Sequence, residues 1–228
     1  MNIGQTAFYA LEVIGVLAFA LSGAITAIER ELDVFGVTVM GVTTAMGGGV
    51  IRDVLIGSLP PSMFYSYEYI LAAATASLLT FIIAYIAKKK NFRLNVNTVN
   101  VVNNIFDAIG LGTFSVLGVS IAIDAGYSEN MFLCVTLGLL TGVGGGALRD
   151  VMSRSIPFIF TKRVYAVASL AGCIVYYYMT VSECKEILSV TVPLLLIFFL
   201  RMLATIFKWS LPKIKLNSNN TEKDVADS

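Results

Sequence analysis

A seven-residue motif, Gly-Gly-Gly-x-x-Arg-Asp, occurs twice in this sequence and limits the possible folds more than any other feature. One copy covers residues 47–53, and the other covers residues 144–150, which is 97 residues later. Further upstream, at an offset of 95 residues, the segment around Glu12 matches the segment around Asp107. Self-similarity over this length indicates that the chain folds as two related structural units.

The chain is also apolar enough to fold in a membrane. Of its 228 residues, 57% are hydrophobic and 14% are charged, whereas a soluble domain has about 45–50% apolar and about 25% charged residues. Three apolar stretches of membrane-spanning length fall in each repeat, and an odd number of spans inverts the second repeat in the membrane. The sequence therefore predicts an all-α membrane protein with an inverted 3+3 repeat and one C-terminal helix. The seven predicted spans are residues 8–28, 34–57, 68–87, 104–123, 131–153, 164–181 and 187–207.

The repeats predict a single membrane domain over residues 1–228. Its parts are repeat 1 at 8–87, repeat 2 at 104–181, a seventh helix at 187–207 and a cytoplasmic tail at 208–228. Lys and Arg cluster after the third, fifth and seventh spans, and loops rich in these residues stay in the cytoplasm. We therefore expect the N-terminus outside the cell and the C-terminus in the cytoplasm.

Composition excludes several classes of function. The sequence has no histidine, so Ser-His-Asp catalysis, Cys-His catalysis and imidazole metal sites are ruled out. A net charge of +1 argues against nucleic-acid binding, which needs a basic surface. The phosphate loop of ATP-driven pumps is absent from the sequence, and Arg-Asp pairs supply no nucleophile with its base. We expect a protein that is not an enzyme, has no cofactor and holds no metal at a fixed site.

The glycine triplets fall in the second and fifth predicted helices. Each glycine weakens a helix by about 1 kcal/mol, so we expect both helices to be broken or kinked there. Irregular backbone at membrane depth is tolerated where it lines a water-filled cavity, which makes the triplets candidates for a pathway wall; close helix packing is the alternative. The hydroxyls of two nearby threonines would satisfy freed carbonyls or coordinate an ion. The candidates are Gly47, Gly48, Gly49, Gly144, Gly145, Gly146, Thr44 and Thr141.

Charged residues follow each triplet and also recur earlier in each repeat. A charge at the bilayer centre costs about 2.5–3.5 kcal/mol on insertion scales, so these side chains should face the bundle interior, a partner charge or water. Two interpretations stay open: a polar gate at each mouth of a pathway, or a salt bridge that fixes the helix. Arg201, on the last helix, is expected to extend towards the membrane interface. The candidates for a gating or charge network are Arg52, Asp53, Arg149, Asp150, Glu12 and Asp107.

The doubled motif in a seven-span chain of this size resembles the prokaryotic branch of the trimeric intracellular cation (TRIC) channel family, over residues 5–207. The resemblance implies a homotrimer in the plasma (inner) membrane, in which each protomer has an hourglass pore for monovalent cations, chiefly K⁺. The kinked second and fifth helices would line this pore, with the glycine triplets at the constriction. K⁺ or Na⁺ would bind only transiently, and bound lipid is left open. The Lys-Glu-Val tripeptide of animal members is absent, so their lipid binding and gating do not transfer.

The same bacterial domain is also described as a glycine transporter, and this is the alternative function. A secondary transporter of glycine or another small neutral amino acid would hold its substrate in a closed pocket near the midplane. The helix N-termini beyond the glycines would then face the substrate carboxylate. A channel would instead provide a continuous water-filled path.

Overall fold

The computed structural model describes residues 3–90, 95–161, 164–207 and 209, and all regular secondary structure in these ranges is helical, as predicted. Six of the long helices are long and apolar enough to cross a membrane, and the sixth in chain order is a shorter apolar helix. Apart from Trp209, the predicted tail lies outside the described residues. The long helices are α1 (Ile3–Glu29), α2 (Val34–Leu55), α3 (Tyr67–Lys89), α4 (Val96–Ala122), α5 (Met131–Met152), α6 (Tyr165–Val181) and α7 (Glu186–Ile206).

The ends of equivalent helices have matching backbone conformations. Gly57 after α2 and Arg154 after α5 have positive φ angles of 75° and 54°. Glu31 after α1 and Gly126 after α4 form a second pair, with φ angles of 57° and 92°. A left-handed residue just past the last turn is a common way to end a helix. The first two helices of both repeats therefore end in the same way.

Four helices form the centre of the bundle. α1 packs against α2 and α4, and α5 packs against α2 and α4, so that the four close a ring. α3 covers α1 and α2, and α6 covers α4 and α5 in the same manner. α7 follows both repeats in the chain and packs against α4 and α6. The second repeat therefore carries an extra helix on its outer side.

Both glycine triplets lie inside continuous helices. α2 is helical from Val34 to Leu55, and α5 is helical from Met131 to Met152. The prediction that these helices are broken at the triplets is therefore wrong. The reason is that helix propensity describes an isolated helix, whereas most helix stability in a folded protein comes from packing, which outweighs about 1 kcal/mol per glycine.

The triplets instead mark the point where α2 and α5 cross. A Cβ atom on Gly48 would overlap the carbonyl oxygen of Thr141, and a Cβ atom on Gly145 would overlap the carbonyl oxygen of Thr44. Glycine at these positions lets the two backbones touch, as small residues do at other helix contacts in membranes. These reciprocal contacts also show that α2 and α5 run antiparallel. In this structure the triplets allow close helix packing, which was the alternative to the interpretation that they line a pathway.

Candidate functional site

Repeat-equivalent charged residues gather into two sites. Arg52 lies near the end of α2 and Arg149 near the end of α5. Because these helices cross antiparallel at the triplets, the two sites lie on opposite sides of the crossing. We define the first charged site as Glu12, Arg52, Asp53 and Tyr69, and the second charged site as Asp107, Arg149, Asp150 and Tyr165.

In both sites an arginine is bonded to the aspartate that follows it. Arg52 Nε donates to Asp53 Oδ1 at 2.8 Å, and Arg149 Nε donates to Asp150 Oδ1 at 2.9 Å. The second carboxylate oxygen of each aspartate accepts a backbone N–H from the first residue of a short helix that follows, at 2.8 Å from Ser62 and 2.7 Å from Phe158. These contacts tie the end of each long helix to the segment after it. They support the interpretation that the Arg-Asp pairs are structural.

Each site also contains a carboxylate bonded to a tyrosine. The Tyr69 hydroxyl donates to Glu12 Oε2 at 2.8 Å, and the Tyr165 hydroxyl donates to Asp107 Oδ1 at 3.4 Å. Sequence analysis missed both tyrosines as members of the sites. Their spacing of 96 residues, close to the repeat offset, is the signal that identifies them.

The second charged site is closed. Arg149 Nη1 donates to Asp107 Oδ1 at 2.8 Å, and Arg201 Nη2 of α7 donates to Asp107 Oδ2 at 3.1 Å. The Arg201 guanidinium also lies over the Tyr165 ring, 4.5 Å from its centre. Arg201 is only 2% exposed, so the expectation that it extends to the interface is wrong. Its buried partner, Asp107, outweighs the tendency of a lone arginine to reach water.

A chain of polar side chains extends this closed region along α1 and α4. Arg149 Nη1 also donates to the Ser22 hydroxyl, which in turn donates to Asn103 Oδ1 at 2.7 Å. Asn103 Nδ2 then donates to the Thr26 hydroxyl at 3.1 Å. Apart from Arg149, the members of this chain were not candidates from sequence, because hydroxyl and amide side chains in an apolar stretch carry no distinguishing pattern.

The first charged site opens onto a cavity of about 290 Å³. All four of its members line this cavity, and Glu12 is half-buried. The cavity is also lined by Ala45 and Gly49 of α2 and by Phe114 of α4. It therefore reaches the helix that carries the first glycine triplet, at a member of that triplet.

The two sites differ in charge. The first contains two acids, Glu12 and Asp53, and one arginine, so it carries a net negative charge. The second contains two acids as well, but with Arg201 it has two arginines and is neutral. The second charged site therefore has one cation more than the first, and the open cavity lies at the first site, which lacks that cation.

The two candidate threonines are fully buried. The Thr44 hydroxyl donates to the Met40 carbonyl at 2.7 Å, and the Thr141 hydroxyl donates to the Leu137 carbonyl at 2.6 Å. Each bond is made within its own helix, as is common for threonine inside helices. The structure brings both residues to the crossing, where their backbone carbonyls face Gly145 and Gly48.

The family model described as Glycine transporter matches the chain twice, over residues 9–85 and 104–180. The UPF0126 inner membrane protein YadS of Escherichia coli strain K12 is 34% identical over 217 residues, which cover 92% of this chain and 98% of that protein. These matches extend through both repeats.

Solved structures of cation channels share the fold. A TRIC cation channel whose structure addresses conductance is 38% identical, with a TM-score of 0.79, and the match covers 92% of this chain and 98% of that chain. The TRIC trimeric intracellular cation channel orthologue of Rhodobacter sphaeroides is 26% identical, with a TM-score of 0.81, over 90% of this chain and 100% of that chain. The structural relatives are membrane channels and not enzymes.

Proposed function

Because this chain belongs to the prokaryotic TRIC family of cation channels, we propose that it conducts monovalent cations, chiefly K⁺, through a pore in each protomer of a homotrimer. One observation carries the proposal: the net negative first charged site borders a cavity that reaches the α2–α5 crossing. A negative cleft with low-dielectric walls raises the local concentration of cations. Cations would bind there transiently.

We propose that the pathway continues between α2 and α5 to the second charged site. In the present conformation it is closed twice, by the backbone contact at Gly48 and Gly145 and by the buried ion pairs of Asp107. Opening requires α2 and α5 to separate. The glycine triplets would then become the flexible part of each helix, since glycine has low helix propensity, and the carbonyls of Thr44 and Thr141 would face the ion.

The same proposal includes location and assembly. The E. coli relative is named an inner membrane protein, and the R. sphaeroides relative is named trimeric. Basic residues at the end of α3, among them Lys88 and Lys89, favour a cytoplasmic position for that end. The first charged site would then open to the outside, and the second charged site would lie on the cytoplasmic side.

Recording single channels tests the proposal. The purified protein in a planar bilayer with asymmetric KCl is expected to give discrete currents that reverse near the K⁺ equilibrium potential. An empty bilayer and a bilayer with heat-denatured protein are the controls. Currents that reverse near the Cl⁻ potential, or none in repeated preparations of folded protein, would contradict conduction of cations.

Replacing Glu12 by glutamine is expected to lower K⁺ conductance several-fold at 0.1 M KCl, because it removes the net negative charge of the cavity. The loss should largely vanish at 1 M KCl, where the screening length falls from about 10 Å to about 3 Å. Glu68→Gln is the matched control, since Glu68 is exposed, belongs to α3 and does not line the cavity. A loss of equal size in both variants would contradict a specific role for Glu12.

Transport of glycine is the second candidate function. Two observations favour it: the description of the matching family model, and a cavity that is open at one end while the equivalent site is closed. Secondary transporters alternate between such states. Saturable glycine uptake into vesicles, accelerated by glycine on the opposite side and without unitary currents, would favour the transporter over the channel.

A further inference from the structure

Arg201 binds in the second charged site much as a ligand would. Its guanidinium donates to the Asp107 carboxylate at 3.1 Å and lies 4.5 Å from the centre of the Tyr165 ring. Arg201 comes from α7, which follows both repeats, and it brings the one positive charge that makes this site neutral. In the second charged site, the acid–tyrosine pair therefore binds a guanidinium group that another helix of the same chain supplies.

The first charged site has the same acid–tyrosine pair with no such cation. Glu12 and Tyr69 are the repeat equivalents of Asp107 and Tyr165. The tyrosine hydroxyl donates to the carboxylate in both pairs, at 2.8 Å in the first site and 3.4 Å in the second. Arg52 is bonded to Asp53, and within the described ranges no ion pair joins it to Glu12. Within the described ranges the first charged site has no counterpart of Arg201, and Glu12 and Tyr69 instead line a cavity of about 290 Å³, together with the Arg52–Asp53 pair.

We propose that the first charged site binds a small organic cation of the guanidinium type. The ligand would donate hydrogen bonds to the Glu12 carboxylate and lie against the Tyr69 ring, as Arg201 does in the second charged site. Guanidinium is planar and weakly hydrated, and it combines bonds to a carboxylate with stacking on an aromatic ring. The hydroxyls of Ser58, Ser62 and Ser66 also line the cavity and supply further acceptors.

The size and charge of the cavity fit such a ligand. Its volume of about 290 Å³ lies just below the usual range for small-molecule sites, about 300–1,000 Å³, and leaves ample room for a cation as small as methylguanidinium. One bound monovalent cation would bring the first charged site to the same neutral balance as the second. Arg52 is paired with Asp53, so the charge of Glu12 is left uncompensated. This negative charge would repel an anion in the cavity.

Equilibrium binding of methylguanidinium to the purified full chain, measured by titration calorimetry, tests the site without measuring conduction. We expect one saturable site per protomer. Glu12→Gln should weaken binding by about tenfold or more, because a charge-assisted hydrogen bond is lost, while Glu68→Gln should leave it unchanged. Absence of saturable binding at millimolar ligand, or equal binding by Glu12→Gln and the unmodified protein, would overturn the proposal.

Arg201→Ala provides a second test, because it removes the internal cation from the second charged site. This variant is expected to bind two methylguanidinium ions per protomer and to regain thermal stability when the ligand is added. If the variant binds only one ion and is not stabilised, the second charged site does not bind free guanidinium. Arg201 is then no guide to what the first charged site binds. If Arg201→Ala does not fold, the Glu12→Gln titration decides alone. Binding without K⁺ currents would overturn the proposed channel but leave this site intact.

Discussion

Replacing Gly48 with alanine is expected to destabilise the protein by about 3 kcal/mol, the upper end of the cost of overpacking. The added methyl group would overlap the Thr141 carbonyl oxygen, and a backbone atom in a packed helix cannot rotate away as a side chain would. Gly145→Ala should cost about the same, because its Cβ would overlap the Thr44 carbonyl. Unfolding of each purified variant in mixed detergent micelles measures the loss.

Gly49→Ala is the matched control in the same triplet. The nearest atom to its added Cβ is Arg52 Nη2 at 3.7 Å, an ordinary van der Waals distance. Since alanine favours helix over glycine by about 1 kcal/mol, this variant should be unchanged or slightly more stable. Equal destabilisation of Gly48→Ala and Gly49→Ala would show that the crossing is not the cause. Equal stability of both would show that α2 and α5 are not in backbone contact.

The internal repeat made much of the arrangement of the two charged sites predictable from the sequence. Because the motif recurs at an offset of 97 residues and the upstream segment at an offset of 95, the sequence paired Arg52 with Arg149 and Glu12 with Asp107. The structure gives both arginines a bond to the following aspartate and both acids a bond from a tyrosine. The shape of the helices at the triplets was not predictable in the same way. Propensity records what glycine costs a single helix, whereas the contact between Gly48 and Thr141 depends on where a second helix lies.

The closure of the second charged site by Arg201 also could not be predicted from the sequence. Arg201 lies outside both repeats, so no equivalent residue indicates a partner for it. A single arginine near the end of an apolar helix is well explained by extension to the interface. Its burial depends on the packing of α7 against α4, which places it beside Asp107. That packing is a tertiary feature without a periodic signal.

Asp107→Asn is expected to destabilise the protein by about 3–5 kcal/mol, the cost of removing one partner from a buried ion pair. Asp107 accepts from Arg149 at 2.8 Å and from Arg201 at 3.1 Å, and its side chain is fully buried. The variant would leave two buried arginines with only Asp150 to balance them. A membrane adds to this cost, because an uncompensated charge has little access to water. The unfolding free energy in mixed micelles tests the prediction.

Glu12→Gln is the repeat-matched comparison, since it makes the same chemical change at the equivalent position. Glu12 is half-buried, borders a cavity and accepts from a tyrosine with no arginine partner among the described residues. Glutamine keeps an oxygen that accepts from Tyr69, so the change should cost about 1 kcal/mol. The difference in unfolding free energy between the two variants measures how much Arg201 and burial add to the stabilisation by the acid of the second charged site. Similar losses in both would mean that Glu12 is as tightly paired as Asp107. The first charged site would then be closed in solution, with no room for a cation.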